Sequence, residues 1–120
     1  MTTIAYVLAG LVAALHLYIL VLEMFLWERA PGRRLSGFDA PTAKTTARLA
    51  ANQGLYNGFL AAGLIWGLIA VDPIGFQVRV FFLSCVVVAG LYGGATANRR
   101  IYAAQALPGA LALAAVLAAG

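Results

Sequence analysis

The sequence contains little charge: eight Lys or Arg residues and four Asp or Glu residues among 120, which is 10% of the chain. A soluble domain usually carries about 25% charged residues. Hydrophobic residues make up 63%. So small a chain cannot bury that much apolar material and also present a polar surface to water. The composition excludes a soluble enzyme and a disordered tail, and it indicates an integral membrane protein.

Cysteine and histidine are also scarce, with one residue of each. The single Cys85 excludes an intramolecular disulfide. The single His16 argues against a metal or haem centre, because a zinc site normally has three or four protein ligands. The basic residues lie in short clusters between apolar runs, which is not the pattern of a nucleic-acid surface. The sequence therefore predicts no metal, no cofactor and no nucleic-acid partner.

Long runs without charge dominate the chain. Four such runs, of 21, 23, 19 and 20 residues, are Thr2–Leu22, Leu49–Val71, Val80–Asn98 and Ile101–Gly120. Roughly 20 helical residues cross a hydrocarbon core about 30 Å thick. The runs predict an all-α polytopic membrane protein with four transmembrane helices in an antiparallel up-down bundle. We expect residues 1–120 to form a single domain with helices near 3–27, 42–71, 76–98 and 100–119.

The orientation of these helices follows from the positions of Lys and Arg. Seven of the eight basic residues lie in or beside the first and third loops, and the second loop has only Arg79, near Asp72. The positive-inside rule places the first and third loops in the cytoplasm. Both termini are then expected on the outer side of a multi-pass protein of the cell (inner) membrane.

The first loop is the longest connection, and its residues suggest local structure. Pro31 and Gly32 predict a turn. Asp39 followed by Pro41 predicts the start of the second long helix, because Asp is favoured near a helix N-terminus and Pro at the first helical position.

Polar side chains recur at one depth on all four predicted helices, in the cytoplasmic half. His16 and Glu23 are almost two turns apart and share one face of the first helix. Polar groups inside a bilayer are expensive and are functional candidates by default. We expect a ligand-binding pocket there and few polar groups in the outer half. Its expected lining is His16, Glu23, Asn52, Gln53, Tyr56, Asn57, Tyr92 and Gln105.

Small residues form two further patterns. Gly54 and Gly58 are four residues apart on the second long helix, and Gly90 and Gly94 repeat the spacing on the third. Such pairs let helix backbones approach closely. They serve packing within the monomer, a homodimer through either face, or both.

Three stretches resemble one protein family over essentially the whole chain. They are His16–Trp27, Leu49–Gly67 and Phe81–Gly93. The His and Glu of the first stretch and the Asn-Gln and Tyr-Asn pairs of the second are the specific features. They are similar to small, mostly bacterial membrane proteins of the domain-of-unknown-function family numbered 1304. The resemblance implies a four-helix membrane protein and carries no reaction, substrate or cofactor.

Three functions from different classes fit these residues. In the first, the protein binds, with or without transporting it, a small molecule that is lipophilic, amphiphilic or aromatic. Membrane lipid then surrounds the protein as a further partner. The alternative is an intramembrane enzyme with isomerase-type chemistry, in which His16 and Glu23 are the candidate catalytic acid and base. The third is a structural or regulatory subunit whose partner covers the small-residue faces.

The charge pattern makes the orientation testable. A reporter fused after Gly120 is expected to be active on the outer side of the membrane, and one inserted near Ser36 in the cytoplasm. Paired alkaline phosphatase and fluorescent-protein fusions measure both positions. The opposite pattern would contradict the orientation and would place the polar side chains of the expected pocket in the outer half of the membrane.

Overall fold

The computed structural model describes residues 2–120, so Met1 of the expected single domain lies outside the described residues. The chain is all-α. Its helices are α1 (Thr2–Phe25), α2 (Ala30–Ser36), α3 (Ala40–Ile69), α4 (Ile74–Thr96) and α5 (Leu107–Ala119), the last preceded by a π-helical turn at Tyr102–Ala106. Within residues 2–120, three segments are long and apolar enough to cross a membrane: Thr3–Phe25, Ile74–Thr96 and Tyr102–Ala119.

The first loop differs from the sequence expectation, because Ala30–Ser36 forms the short helix α2. Pro31 lies in the first turn of α2, where the N–H that proline lacks has no partner within the helix. Gly37 ends α2 with a φ of 76°, a left-handed conformation that glycine adopts without strain. The predicted turn at Pro31 and Gly32 was therefore wrong.

The predicted start of the second long helix is confirmed. The Asp39 carboxylate accepts a hydrogen bond of 2.8 Å from the backbone N–H of Thr42, one of the N–H groups that has no acceptor within α3. Hydrogen bonds from the side chain and the backbone of Thr42 hold the pKa of the Asp39 carboxyl below its ordinary value. The ionised carboxylate suits the positive end of the helix dipole.

Proline also determines the start of α5. Pro108 has no N–H to donate, and its ring would meet the carbonyl oxygen four residues earlier in a regular α-helix. The chain forms a π-helical turn just before it, in which the N–H of Leu107 bonds to the carbonyl of Tyr102, five residues back. Gln105 lies in this turn.

The described chain consists of two compact units. One unit contains the residues up to Ala14 together with Leu60–Gly120, and the other contains Leu15–Phe59. In the first unit, four helices contribute to one apolar core. Its buried members are Ala5, Ala9, Val12, Ala13, Leu64, Leu83, Val86, Ala112 and Val116.

Glycines bring α4 and α5 together in the first unit. A Cβ atom on Gly90 would lie 2.5 Å from the backbone nitrogen of Ala106, and one on Gly109 would lie 2.8 Å from Val86 Cγ1. A Cβ on Gly94 would overlap the ring of Tyr102. Partners later on α5 face positions earlier on α4, so these helices are antiparallel neighbours.

The Gly90 contact predicts a specific loss of stability. A Gly90→Ala substitution places a methyl group against the Ala106 backbone, which cannot move as a side-chain end can, and should destabilise the fold by about 1–3 kcal/mol. Gly10→Ala is the matched control, since its nearest neighbour would be Leu68 Cδ1 at 4.0 Å. That control should be neutral or stabilising by up to about 1 kcal/mol. Reversible unfolding in detergent measures both, and equal effects would contradict the close approach.

Candidate functional site

A buried carboxylate and an amide meet in the unit formed by Leu15–Phe59. The Asn57 side chain on α3 donates a hydrogen bond of 2.6 Å from Nδ2 to Oε1 of Glu23 on α1. Glu23 is only 4% exposed. The structure therefore brings together two of the residues that the sequence assigned to a polar pocket.

Glycine makes this contact possible. A Cβ atom on Gly54 would lie 3.0 Å from Glu23 Cβ and 2.7 Å from Met24 Cγ, and one on Gly58 would lie 2.7 Å from Leu20 Cδ1. The Gly54 and Gly58 face thus packs within the chain, against α1. A homodimer through this face or through the face of Gly90 and Gly94 stays a prediction. The oligomeric state of Gly58→Leu tests the first of these faces.

His16 is fully buried, with an exposed fraction of 0%. It lies on α1 almost two turns before Glu23, so both side chains belong to one face of the helix. Nothing in residues 2–120 groups three or more His, Cys, Asp or Glu side chains as metal ligands. Proton transfer and hydrogen bonding are the chemistry that this buried pair of titratable groups offers.

Three further predicted site residues lie on the surface of the same unit. Asn52, Gln53 and Tyr56 are exposed on α3. At 100° per residue, Asn52 and Tyr56 lie on the side of the helix away from Gly54, which packs against Glu23. The Tyr56 ring packs edge-on against the exposed ring of Phe59, with centroids 5.7 Å apart. These amide and aromatic groups face outward from the chain.

The last two predicted site residues belong to the other unit. Tyr92 is exposed on α4 and lines an open groove of about 540 Å³ with Cys85, Phe81 and Val88. Gln105 is half-buried in the π-helical turn. A cavity enclosed by all eight predicted residues therefore stays a prediction.

Trp27 holds the start of the first loop to α3. Its indole Nε1 donates a hydrogen bond of 3.0 Å to Thr46 Oγ1, and its ring meets Phe38 edge-on at 6.0 Å. Arg33, Arg34 and Phe38 line an open surface depression next to this contact. The arrangement gives Trp27 a structural role and leaves a basic surface on α2.

Sequence reasoning missed a second buried charge. Arg79 on α4 is buried and forms an ion pair of 3.2 Å with Asp72, and its guanidinium lies 4.8 Å from the centre of the Tyr6 ring. Tyr6, Asp72 and Arg79 form a polar cluster, whereas the sequence predicted few polar groups in the outer half. The available signal was an Arg one residue before a charge-free run, seven residues after the only Asp of its loop.

These features define an all-α protein that has, within the described part of the chain, three membrane-crossing candidates and two buried charged side chains, Glu23 and Arg79. Residues 10–117 match the family described as "Protein of unknown function (DUF1304)", and the chain belongs to that family. It is also 32% identical over 119 residues to the "Uncharacterized protein YpaA" of Lactococcus lactis subsp. lactis (strain IL1403), covering 98% of this chain and 97% of that protein. No solved structure matches the chain.

The Glu23 contact predicts the effect of removing its donor. Asn57→Leu leaves a buried carboxylate without this amide and should destabilise the protein by about 1.5–3 kcal/mol. Gln77→Leu is the control, because Gln77 is an exposed amide on α4, and should change stability by about 0.5 kcal/mol or less. Unfolding free energies in detergent compare the two. Equal effects would contradict a specific contact between Asn57 and Glu23.

Proposed function

We propose that this protein crosses the cell (inner) membrane four times, with both termini outside, and binds a small amphiphilic molecule in its cytoplasmic half. In this proposal α3 is the fourth transmembrane helix, in addition to the three apolar spans. Thirty residues of helix extend about 45 Å, which exceeds the thickness of the hydrocarbon core. The distribution of Lys and Arg supports the orientation.

The observation that carries the binding proposal is the exposure of Asn52, Gln53 and Tyr56 on a helix whose opposite face covers a buried carboxylate. Among residues 2–120, no group of the chain forms a hydrogen bond with the side-chain amide of Asn52 or Gln53. An amide in an apolar environment needs a partner, because each unmet group costs about 1–3 kcal/mol. The hydrogen-bond partner of these amides then comes from outside the chain, from a lipid head group or a bound amphiphile.

The neighbouring side chains favour an amphiphile over a purely polar ligand. Asn52, Tyr56 and Phe59 are spaced by four and three residues and share one face of α3. The amide offers hydrogen bonds, and the two perpendicular rings offer apolar area. A molecule with a polar head and an apolar body fits this combination, and Glu23 with Asn57 lies directly behind it.

The test is the chemical identity of what the protein carries. Protein purified in mild detergent is extracted with organic solvent, and the extract is quantified by mass spectrometry against the bulk lipid of the same membranes. We expect one amphiphile to be enriched at near-equal molar ratio with the wild-type protein. Tyr56→Leu should lower its amount about tenfold, which corresponds to losing about 1.4 kcal/mol of binding free energy.

The matched control is Trp66→Leu, which also removes an exposed aromatic ring from α3 but lies outside the unit that contains Glu23. This variant should retain the ligand. An extract with bulk lipid composition in the wild-type protein would contradict the proposal, as would an equal loss in both variants.

A further inference from the structure

The first unit contains a cavity that the proposed function does not use. Its volume is about 320 Å³, within the size range of small-molecule sites. It lies where the starts of α1 and α4 meet the end of α5, and its walls combine apolar and charged side chains. The residues that matter here are Ala5, Tyr6, Asp72, Phe76, Arg79 and Val116.

Arg79 provides the charge of this cavity. The Arg79 side chain is 7% exposed. Its Nη1 donates a hydrogen bond of 2.7 Å to the carbonyl oxygen of Gly67 and a longer one of 3.5 Å to Tyr6 Oη. The first bond satisfies one of the last carbonyls of α3, and the Tyr6 ring supports the guanidinium through a cation–π contact. The guanidinium is thereby fixed in orientation at the cavity wall.

Asp72 is held much more loosely than Arg79. Its side chain is 58% exposed and accepts one hydrogen bond of 3.2 Å, from Nη2 of Arg79. Guanidinium and carboxylate groups usually pair most strongly through two parallel bonds. The single long bond to an exposed carboxylate can be exchanged, because water solvates Asp72 when it leaves. The contacts of Arg79 with Gly67 and Tyr6 are to neutral groups, so a second acid that takes the place of Asp72 restores a negative partner.

We propose that this cavity binds the acid group of a small amphiphile, which replaces Asp72 as the partner of Arg79. The guanidinium supplies the donors for a carboxylate or phosphate oxygen. Phe76 and Val116 supply the apolar wall for the attached hydrocarbon. A free fatty acid and an anionic lipid share this chemistry. The site is separate from the proposed site on α3, so either can fail without the other.

The first experiment compares three probes with the same chain length and different head groups. Octanoate, octylamine and octanol are titrated by calorimetry into the full-length protein in a non-ionic detergent below the micelle-forming concentration of each probe. We expect octanoate to bind about tenfold to a hundredfold more tightly than the other two, and Arg79→Gln to abolish the difference. Equal binding of the three probes would overturn the proposal.

Arg79 also supports α3, so variants that leave its hydrogen bonds intact are needed. Ala119→Leu fills the cavity and should weaken octanoate binding at least tenfold, whereas Ala118→Leu, next to it and outside the cavity lining, should not. Asp72→Asn should tighten binding several-fold, because it removes the competing carboxylate. Unchanged binding in Ala119→Leu or weakened binding in Asp72→Asn would show that the ion pair is only structural.

The source of the acid is resolved in lipid nanodiscs. Octanoate is titrated into protein in discs of phosphatidylcholine and in discs that contain phosphatidylglycerol as well. If phosphatidylglycerol weakens octanoate binding and Arg79→Gln removes this effect, the proposal is supported and the ligand is an anionic lipid. Arg79-dependent octanoate binding that is equal in both discs supports it with a free acid, and octanoate binding that does not depend on Arg79 in either disc overturns it.

Discussion

The contact between Asn57 and Glu23 depends on how closely α3 approaches α1. Gly54 and Gly58 remove the side chains that would otherwise hold these helices apart, and Leu20 and Met24 fill the space. At that separation an amide as short as that of Asn57 reaches the carboxylate. Small residues and polar side chains therefore act together, as is typical of helices that associate in a membrane, where burial alone gives no driving force.

The same device recurs at the other buried charge. Gly67 of α3 lies against Arg79, and a Cβ atom there would lie 2.8 Å from Arg79 Cγ. The Gly67 carbonyl is also the acceptor of the shortest hydrogen bond that the guanidinium makes. Thus a glycine of α3 packs against each buried charged residue: Gly54 against Glu23 of α1, and Gly67 against Arg79 of α4. The lower apolar character of α3 comes from its polar residues, among them Lys44, Arg48, Asn52 and Gln53.

The two buried charges are surrounded by different chemistry. Glu23 is covered by an amide donor, and the helix that supplies this donor carries an exposed strip of amides and aromatic rings on its opposite face. Arg79 lies at the wall of a cavity, with a counter-ion that is mostly exposed. The first arrangement offers hydrogen bonds to a polar head group, and the second offers a positive charge to an acid. Both suit amphiphiles, and neither groups three metal-ligating side chains among residues 2–120.

The sequence alone determined the class of protein and most of its helices, because membrane insertion depends on length and composition, which local residues carry. It also identified Asp39 as a helix start. Only the tertiary structure decided which polar side chains are buried. Asn52 and Asn57 look alike in sequence, yet one is exposed and the other reaches Glu23. Arg79 looked like an ordinary loop residue, but a glycine on a different helix gives its side chain the space to be buried. Such choices depend on pairs of residues that are distant along the chain, and no local pattern encodes them.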